Sequence, residues 1–195
     1  MLNSSHPNLI VPAFKTLHLV SGGARSGKSR FAVNLALQNG HDRLFIATAQ
    51  AFDAEMQTRI LLHQNERRDD FRTLEAPLDL HIALDKQAAC DVIVIDCLTL
   101  WLSNLVHTGL NDQDIQQHIN LGLQAALAKA RKVILVSNEI GFGIVPDDAL
   151  ARRFRDLNGR LQQDIGAAAL EIHLAALGVI LPLKQLARLA AQSQI

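Results

Sequence analysis

The sequence has no tyrosine and one tryptophan, and with seven phenylalanines its aromatic residues make up only 4% of 195 positions. Trp101 and the phenylalanines therefore read as packing residues rather than as a base-stacking surface. Two cysteines, Cys90 and Cys97, are too few for a disulfide framework. Both stand in or beside an apolar run, where a reduced thiol packs as a small hydrophobe, and this fits a reducing cytoplasm. Neither sign of charge is in excess: nineteen Lys plus Arg balance nineteen Asp plus Glu. No global field would draw the chain onto nucleic acid or an anionic membrane, so any anion site must be local. Nor does any stretch approach the ~20 uninterrupted apolar residues that cross a bilayer, because Glu171, His173 and Lys184 interrupt the most apolar region. Residues 1–15 lack the basic and apolar segments of a secretory signal, and Pro7 and Pro12 mark them as a loose arm. Internal repeats, low-complexity blocks and interdomain linkers are missing as well.

What remains, 49% hydrophobic and 19% charged, is enough for one domain spanning residues 1–195 with a real core. Short β-rich runs alternate with longer helical patterns, which predicts an α/β fold with a parallel sheet covered by helices on both faces. Strands are expected at Thr16 to Val20, Leu44 to Ala47, Val92 to Asp96, Val133 to Ser137, Ile172 to Ala175 and Val179 to Leu183. Val92-Ile93-Val94-Ile95 is apolar at every position, as a central strand buried on both faces should be. Helices are expected at Ser29 to Gln38, Ala54 to Asn65, Asp112 to Ala130 and Pro146 to Ala168. In the last, Pro146 fits the first turn, and Asp147 and Asp148 complement the helix dipole. The tail at 185–195 reads as a short amphipathic helix or a frayed end.

The strongest chemical signal is Gly22-Gly23-Ala24-Arg25-Ser26-Gly27-Lys28-Ser29, a G-x-x-x-x-G-K-[ST] motif between an apolar strand and an amphipathic helix. Its glycines let backbone N–H groups nest around phosphate oxygens, and the following helix adds its positive end. Lys28 reaches the outer phosphates and Ser29 can ligate Mg²⁺. Asp96, closing the apolar run from Val92, is the matching carboxylate for the magnesium shell, or else a capping or turn aspartate. Thr48, Ala49 and Gln50 end the second strand, which in an open α/β sheet faces the same crevice. Next come Glu55, Arg59, His63 and Arg67, spaced by fours and so on one helix face. This face is either a solvated ladder of ion pairs, or it aims a histidine at a nucleotide phosphate with Arg67 stabilising the developing charge. Ser137-Asn138-Glu139 leads into a glycine-flanked loop suited to sensing a ligand. There Glu139 is a base, a partner of the metal shell or a turn residue.

Taken together, these residues resemble the bifunctional adenosylcobinamide kinase/adenosylcobinamide-phosphate guanylyltransferase family. The resemblance covers residues 16–184. It rests on the P-loop through Arg30, Ile46-Ala47-Thr48-Ala49, Met56 to Arg67, Thr73 and Glu75, Asp96-Cys97-Leu98-Thr99, Ser137 to Pro146, and Ala151 to Arg160. It implies a RecA-like P-loop NTPase fold and two reactions on the route to adenosylcobalamin. ATP or GTP phosphorylates adenosylcobinamide, and GMP then passes from GTP to adenosylcobinamide phosphate through a histidine-bound intermediate. The histidine at the family's position is His63. Lys28, Ser29 and Asp96 would serve both reactions with Mg²⁺, and Thr48, Ala49, Gln50, Gln64, Asn65, Glu66, Arg67 and Glu75 would line the guanine nucleotide site. A homotrimer is also implied. Phe71 stands where the family commonly has tryptophan, Gln162 where asparagine is frequent, and Leu170 where the family has an acidic residue. Two rival readings differ in outcome. A single-function small-molecule kinase would form no covalent nucleotide, and a regulatory nucleotide-binding module would switch a partner without turning over a corrinoid.

Overall fold

The computed structural model describes residues 15–50 and 70–192. The helix expected over Ala54 to Asn65 lies outside them, as do His63 and the neighbouring Gln64, Asn65, Glu66 and Arg67. Among the described residues seven strands form one sheet: β1 (Thr16–Gly22), β2 (Arg43–Ala47), β3 (Arg72–Glu75), β4 (Cys90–Asp96), β5 (Ala130–Asn138), β6 (Glu171–Ala176) and β7 (Val179–Pro182). Their order across the sheet is β3-β2-β4-β5-β1-β6-β7. All neighbours run parallel except β7, which turns back antiparallel on β6 after Leu177 and Gly178, both at positive φ.

Alternation along the central strands divides the core in two. Ile93, Ile95, Val133, Leu135, Leu17 and Leu19 face one side, together with Trp101, Leu123, Leu127, Leu157 and Leu161. These last residues come from α3 (Leu98–His107), α4 (Asp112–Lys129) and α5 (Ala149–Ala168). Val92, Val94, Ile134, Val136 and Val20 face the other side, against Ala32 and Ala36 of α1 (Lys28–Leu37). A short α2 (Leu80–Asp85) packs beside α4, and α6 (Leu183–Gln192) closes the chain. The tail is thus helical as far as Gln192, the last described residue. Its start is held by Glu171, whose carboxylate accepts from the Lys184 and Gln185 backbone N–H groups at 2.7 and 3.1 Å.

The expected helix from Pro146 begins later. Asp148 is its N-cap, accepting from the Ala151 N–H at 2.8 Å, and the first helical residue is Ala149. Pro146 and Asp147 stay in the loop, where their carbonyls accept from the Arg152 guanidinium. An aspartate side chain that satisfies a first-turn donor outcompetes proline for the start of the helix. The strand expected to reach Leu183 ends at Pro182, and the helix expected to reach Ala130 ends at Lys129, because Ala130 already pairs with Cys90 in the sheet.

Candidate active site

Because β1 to β6 are parallel, their C-terminal ends share one edge. Gly22, Asn138 and Ala175 are register partners there, as are Ala47 with Asp96 and with Glu75. The P-loop leaves this edge from the end of β1. A side chain at Gly22 would collide with the Ala175 carbonyl of β6, so β1 can end there only as glycine. Gly27 caps α1 at φ 89°, a left-handed position that turns the chain so that the helix N-terminus faces the loop. Lys28 folds back over the loop, its ammonium donating to the Gly23 carbonyl at 3.1 Å. Burial lowers the Lys28 pKa from its ordinary value, opposed by Cys97 and Asp96 beside it. The expected partner of the P-loop lysine is therefore in electrostatic reach of it.

The Asp96-Cys97 junction is clamped from β2. The Thr48 hydroxyl donates to the Cys97 carbonyl at 2.8 Å and accepts from the Cys97 N–H at 2.7 Å, while the Thr48 N–H donates to the Asp96 carbonyl at 3.2 Å. Thr48 is wholly buried. Its side chain positions Asp96 rather than opening onto the crevice, unlike the outward contact expected of it. Asn104 secures the same turn by donating to the carbonyls of Thr48 and Pro77 at 2.8 and 2.9 Å. Burial, with Asp96 adjacent, pushes the Cys97 thiol up to about 12, which leaves it a neutral packing group.

A second polar chain ties β5 to β1. The Glu139 N–H donates to the Gly22 carbonyl at 3.0 Å, and the Asn138 N–H donates to the Thr99 hydroxyl at 2.7 Å. From α5, Asn158 and Gln162 each donate to the Asn138 carbonyl at 3.3 Å, and the Gln162 amide oxygen accepts from the Ser21 hydroxyl at 2.7 Å. Sequence reasoning gave Asn104 and Asn158 no role. Their signal is an amide among the apolar residues of a helix, where its N–H groups need a hydrogen-bond partner. Glu139 turns its carboxylate onto the Gly141 N–H at 2.6 Å, as a turn residue does.

The sheet edge thus gathers residues 22–29, Ala49, Gln50, Asp96 and Glu75. Glu75 stands at its far end, with β2, β4 and β5 between it and the P-loop strand. Among the described residues no group of three or more His, Cys, Asp or Glu side chains is arranged to hold a metal. A hydroxyl such as Ser29 and a carboxylate such as Asp96 are nevertheless the hard oxygen donors that Mg²⁺ takes when nucleotide phosphates and water supply its other ligands.

A sequence model of the family described as cobinamide kinase / cobinamide phosphate guanyltransferase matches residues 18–183. The chain belongs to this family. It is 42% identical over 167 residues to the bifunctional adenosylcobalamin biosynthesis protein CobP of Pseudomonas aeruginosa, covering 85% of this chain and 96% of that one. It is 39% identical over 180 residues to the bifunctional adenosylcobalamin biosynthesis protein CobU of Escherichia coli, covering 85% of this chain and 98% of that one. Among solved structures, the RadB recombinase superposes with a TM-score of 0.50 at 18% identity over 82% of this chain and 73% of its own. That likeness bears out the RecA-like, mostly parallel sheet and says nothing of activity.

Proposed function

We propose that this protein phosphorylates adenosylcobinamide and then guanylylates the product, using one nucleotide site for both steps. The observation that carries the reading is a P-loop lysine and Asp96 within electrostatic reach of each other at one sheet edge, in a chain of this family. In the kinase step, the corrinoid hydroxyl oxygen attacks the γ-phosphorus. The P–O bond to the nucleoside diphosphate breaks and the hydroxyl proton leaves to solvent. Lys28 and the N–H groups of residues 23–29 hold the charge on the phosphates. Ser29 and Asp96 would hold Mg²⁺, which when bound neutralises phosphate charge. In the transferase step, a neutral imidazole of His63 attacks the α-phosphorus of GTP and pyrophosphate departs with the bonding electrons. The phosphate oxygen of the corrinoid then attacks the same phosphorus, and the P–N bond breaks back to imidazole.

Ala49, Gln50, Gln64, Asn65, Glu66, Arg67 and Glu75 complete the guanine nucleotide site in this reading, and Thr48 holds its floor. We place the enzyme in the cytoplasm, in keeping with the unpaired Cys90 and Cys97. We also assign it a homotrimer. Leu183, Leu186 and Leu189 of α6 are more than a third exposed, an apolar row of the kind that subunit contacts cover.

The test is turnover. Purified protein with Mg²⁺, adenosylcobinamide and ATP should yield the phosphate ester, and GTP should then yield the GDP-linked corrinoid and pyrophosphate. Lys28→Ala should lose both activities by about a hundredfold or more, on the scale of a lost phosphate-charge contact. Retention of either activity near the wild-type rate would contradict a shared site, and wild type that turns over no corrinoid would overturn the reading.

A further inference from the structure

An opening at the active edge is not explained by the nucleotide site. An open cleft of about 570 Å³ is lined by Gly141, Arg155, Asp156, Gly159, Arg160 and Gln163. Three of these neighbour residues already bonded to the end of β1 or β5. Gly141 follows Glu139, which bonds Gly22, and Gln163 and Gly159 adjoin Gln162 and Asn158, which bond Asn138. The cleft therefore opens beside the root of the P-loop. It does so from the α5 face of the sheet, whereas the P-loop runs into α1 on the opposite face.

Two features bear on what this space could hold, the first on its charge and the second on its room. Positions 155, 159 and 163 recur every four residues and form one line on α5, with 156 and 160 beside it. Two guanidinium groups on this face meet one lining carboxylate. Their ion pairs are loose: Arg155 lies 3.9 Å from Asp156, and Arg160 lies 3.6 Å from Asp112, which Arg153 already holds at 2.7 Å. The second feature is Gly159. A glycine in the middle of a twenty-residue helix weakens that helix, yet among the described residues a Cβ there would meet nothing within 4 Å. None of the described residues requires glycine at this position. A side chain there would only fill the cleft.

We propose that this cleft is the acceptor site, in which Arg155 and Arg160 bind the phosphate of the phosphorylated corrinoid while Gly159 keeps room for its linking arm. The proposal rests on the function given above. Guanidinium groups suit a phosphate ester because their paired donors match its oxygens. Beyond Gly141 the loop continues into Phe142 and Ile144, which are 85% and 96% exposed and offer apolar surface at the mouth for the bulky ring system. The two reactants then approach from opposite faces of the sheet and meet where β1 and β5 end.

The test compares binding of adenosylcobinamide phosphate and adenosylcobinamide to the full-length protein without nucleotide, by equilibrium dialysis read at the corrinoid absorbance. Wild type should prefer the phosphate form by about tenfold or more. Arg155→Ala and Arg160→Ala should each erase most of that preference, and Arg155→Lys should restore part of it. Gly159→Leu should weaken both corrinoids, and Gly159→Ala should raise the melting temperature, which separates a blocked cleft from a damaged fold. In steady state the arginine variants should raise KM for the corrinoid phosphate and leave KM for GTP within about twofold, a split expected of lost ground-state binding. Equal preference in wild type and variants would overturn the proposal, as would a rise in the GTP KM alone. Wild type that binds the phosphate form in this way yet turns over neither substrate would sink the functional reading and leave the cleft assignment standing.

Discussion

Thr48 shows how much a single hydroxyl controls here. It donates to the Cys97 carbonyl and accepts from the Cys97 N–H, so it fixes the backbone that carries Asp96. Thr48→Val keeps the shape but strands both buried partners, at a cost of about 1–3 kcal/mol. Urea unfolding should report that loss, and kcat should fall in both reactions because Asp96 is no longer held. Unchanged stability would mean that the clamp is not what seats the turn. From the sequence, Thr48 is legible only as a polar residue at a strand end. Whether its hydroxyl faces a ligand or its own backbone depends on β4 running beside β2, a long-range fact that no local pattern encodes.

At the scale of elements, α4 and α3 meet through a glycine and a tryptophan. Trp101 is wholly buried, its indole N–H donating to the Leu78 carbonyl at 2.8 Å. A Cβ at Gly122 would come within 2.5 Å of the Trp101 ring. Helix propensity alone favours alanine over glycine by about 1 kcal/mol, yet Gly122→Ala should destabilise the protein by about 1–3 kcal/mol because the ring has no free space to move into. A thermal melt decides the sign, and a stabilised variant would show that the contact relaxes. The sequence announced the central strands because their apolar runs have no other use. It did not announce α3, whose Leu98-Thr99-Leu100-Trp101-Leu102 start is apolar around most of its circumference and so shows no one-sided stripe. It also hid β3, a four-residue edge strand with Arg72, Thr73 and Glu75 exposed, and α2, which has only six residues. The P-loop motif was readable because its chemistry demands local spacing, and Asp96 stood out as a candidate because it closes an apolar strand. Arg155 and Arg160 stood in the sequence only as part of the stretch that carries the family resemblance, and their cleft exists only once the loop after β5 folds over α5.

At the scale of the whole molecule, acid should loosen the sheet. His18 of β1 and His173 of β6 stack with ring centroids 5.5 Å apart, joined by a 3.2 Å contact between His18 Nδ1 and His173 Nε2. Burial, with Lys132 and His173 adding to it, pushes His18 down from 6.5 to about 4, while Glu171 opposes the shift. Burial lowers His173 as well. The unfolded chain therefore takes up protons that the folded chain refuses. The stability of the neutral pair is fully present above pH 6.5 and is lost as the pH falls towards 4. The loss should be on the order of 2 kcal/mol, seen as a lower urea midpoint at pH 5 than at pH 7.5. The double variant His18→Gln with His173→Gln should flatten that difference, and a flat profile in the wild type would contradict a neutral buried pair.

The central claim is that one P-loop site feeds both a kinase and a histidine-linked guanylyl transfer. The most direct measurement mixes the protein with Mg²⁺ and GTP labelled at the α-phosphate, denatures it, and asks whether label stays on the chain in an acid-labile, alkali-stable bond. Wild type should carry label and His63→Ala none, and the label should leave as guanylylated corrinoid when adenosylcobinamide phosphate is added before denaturation. His63→Ala should retain kinase activity. A folded wild-type protein that binds GTP but takes up no label, or a His63→Ala variant labelled as well as wild type, would contradict the account.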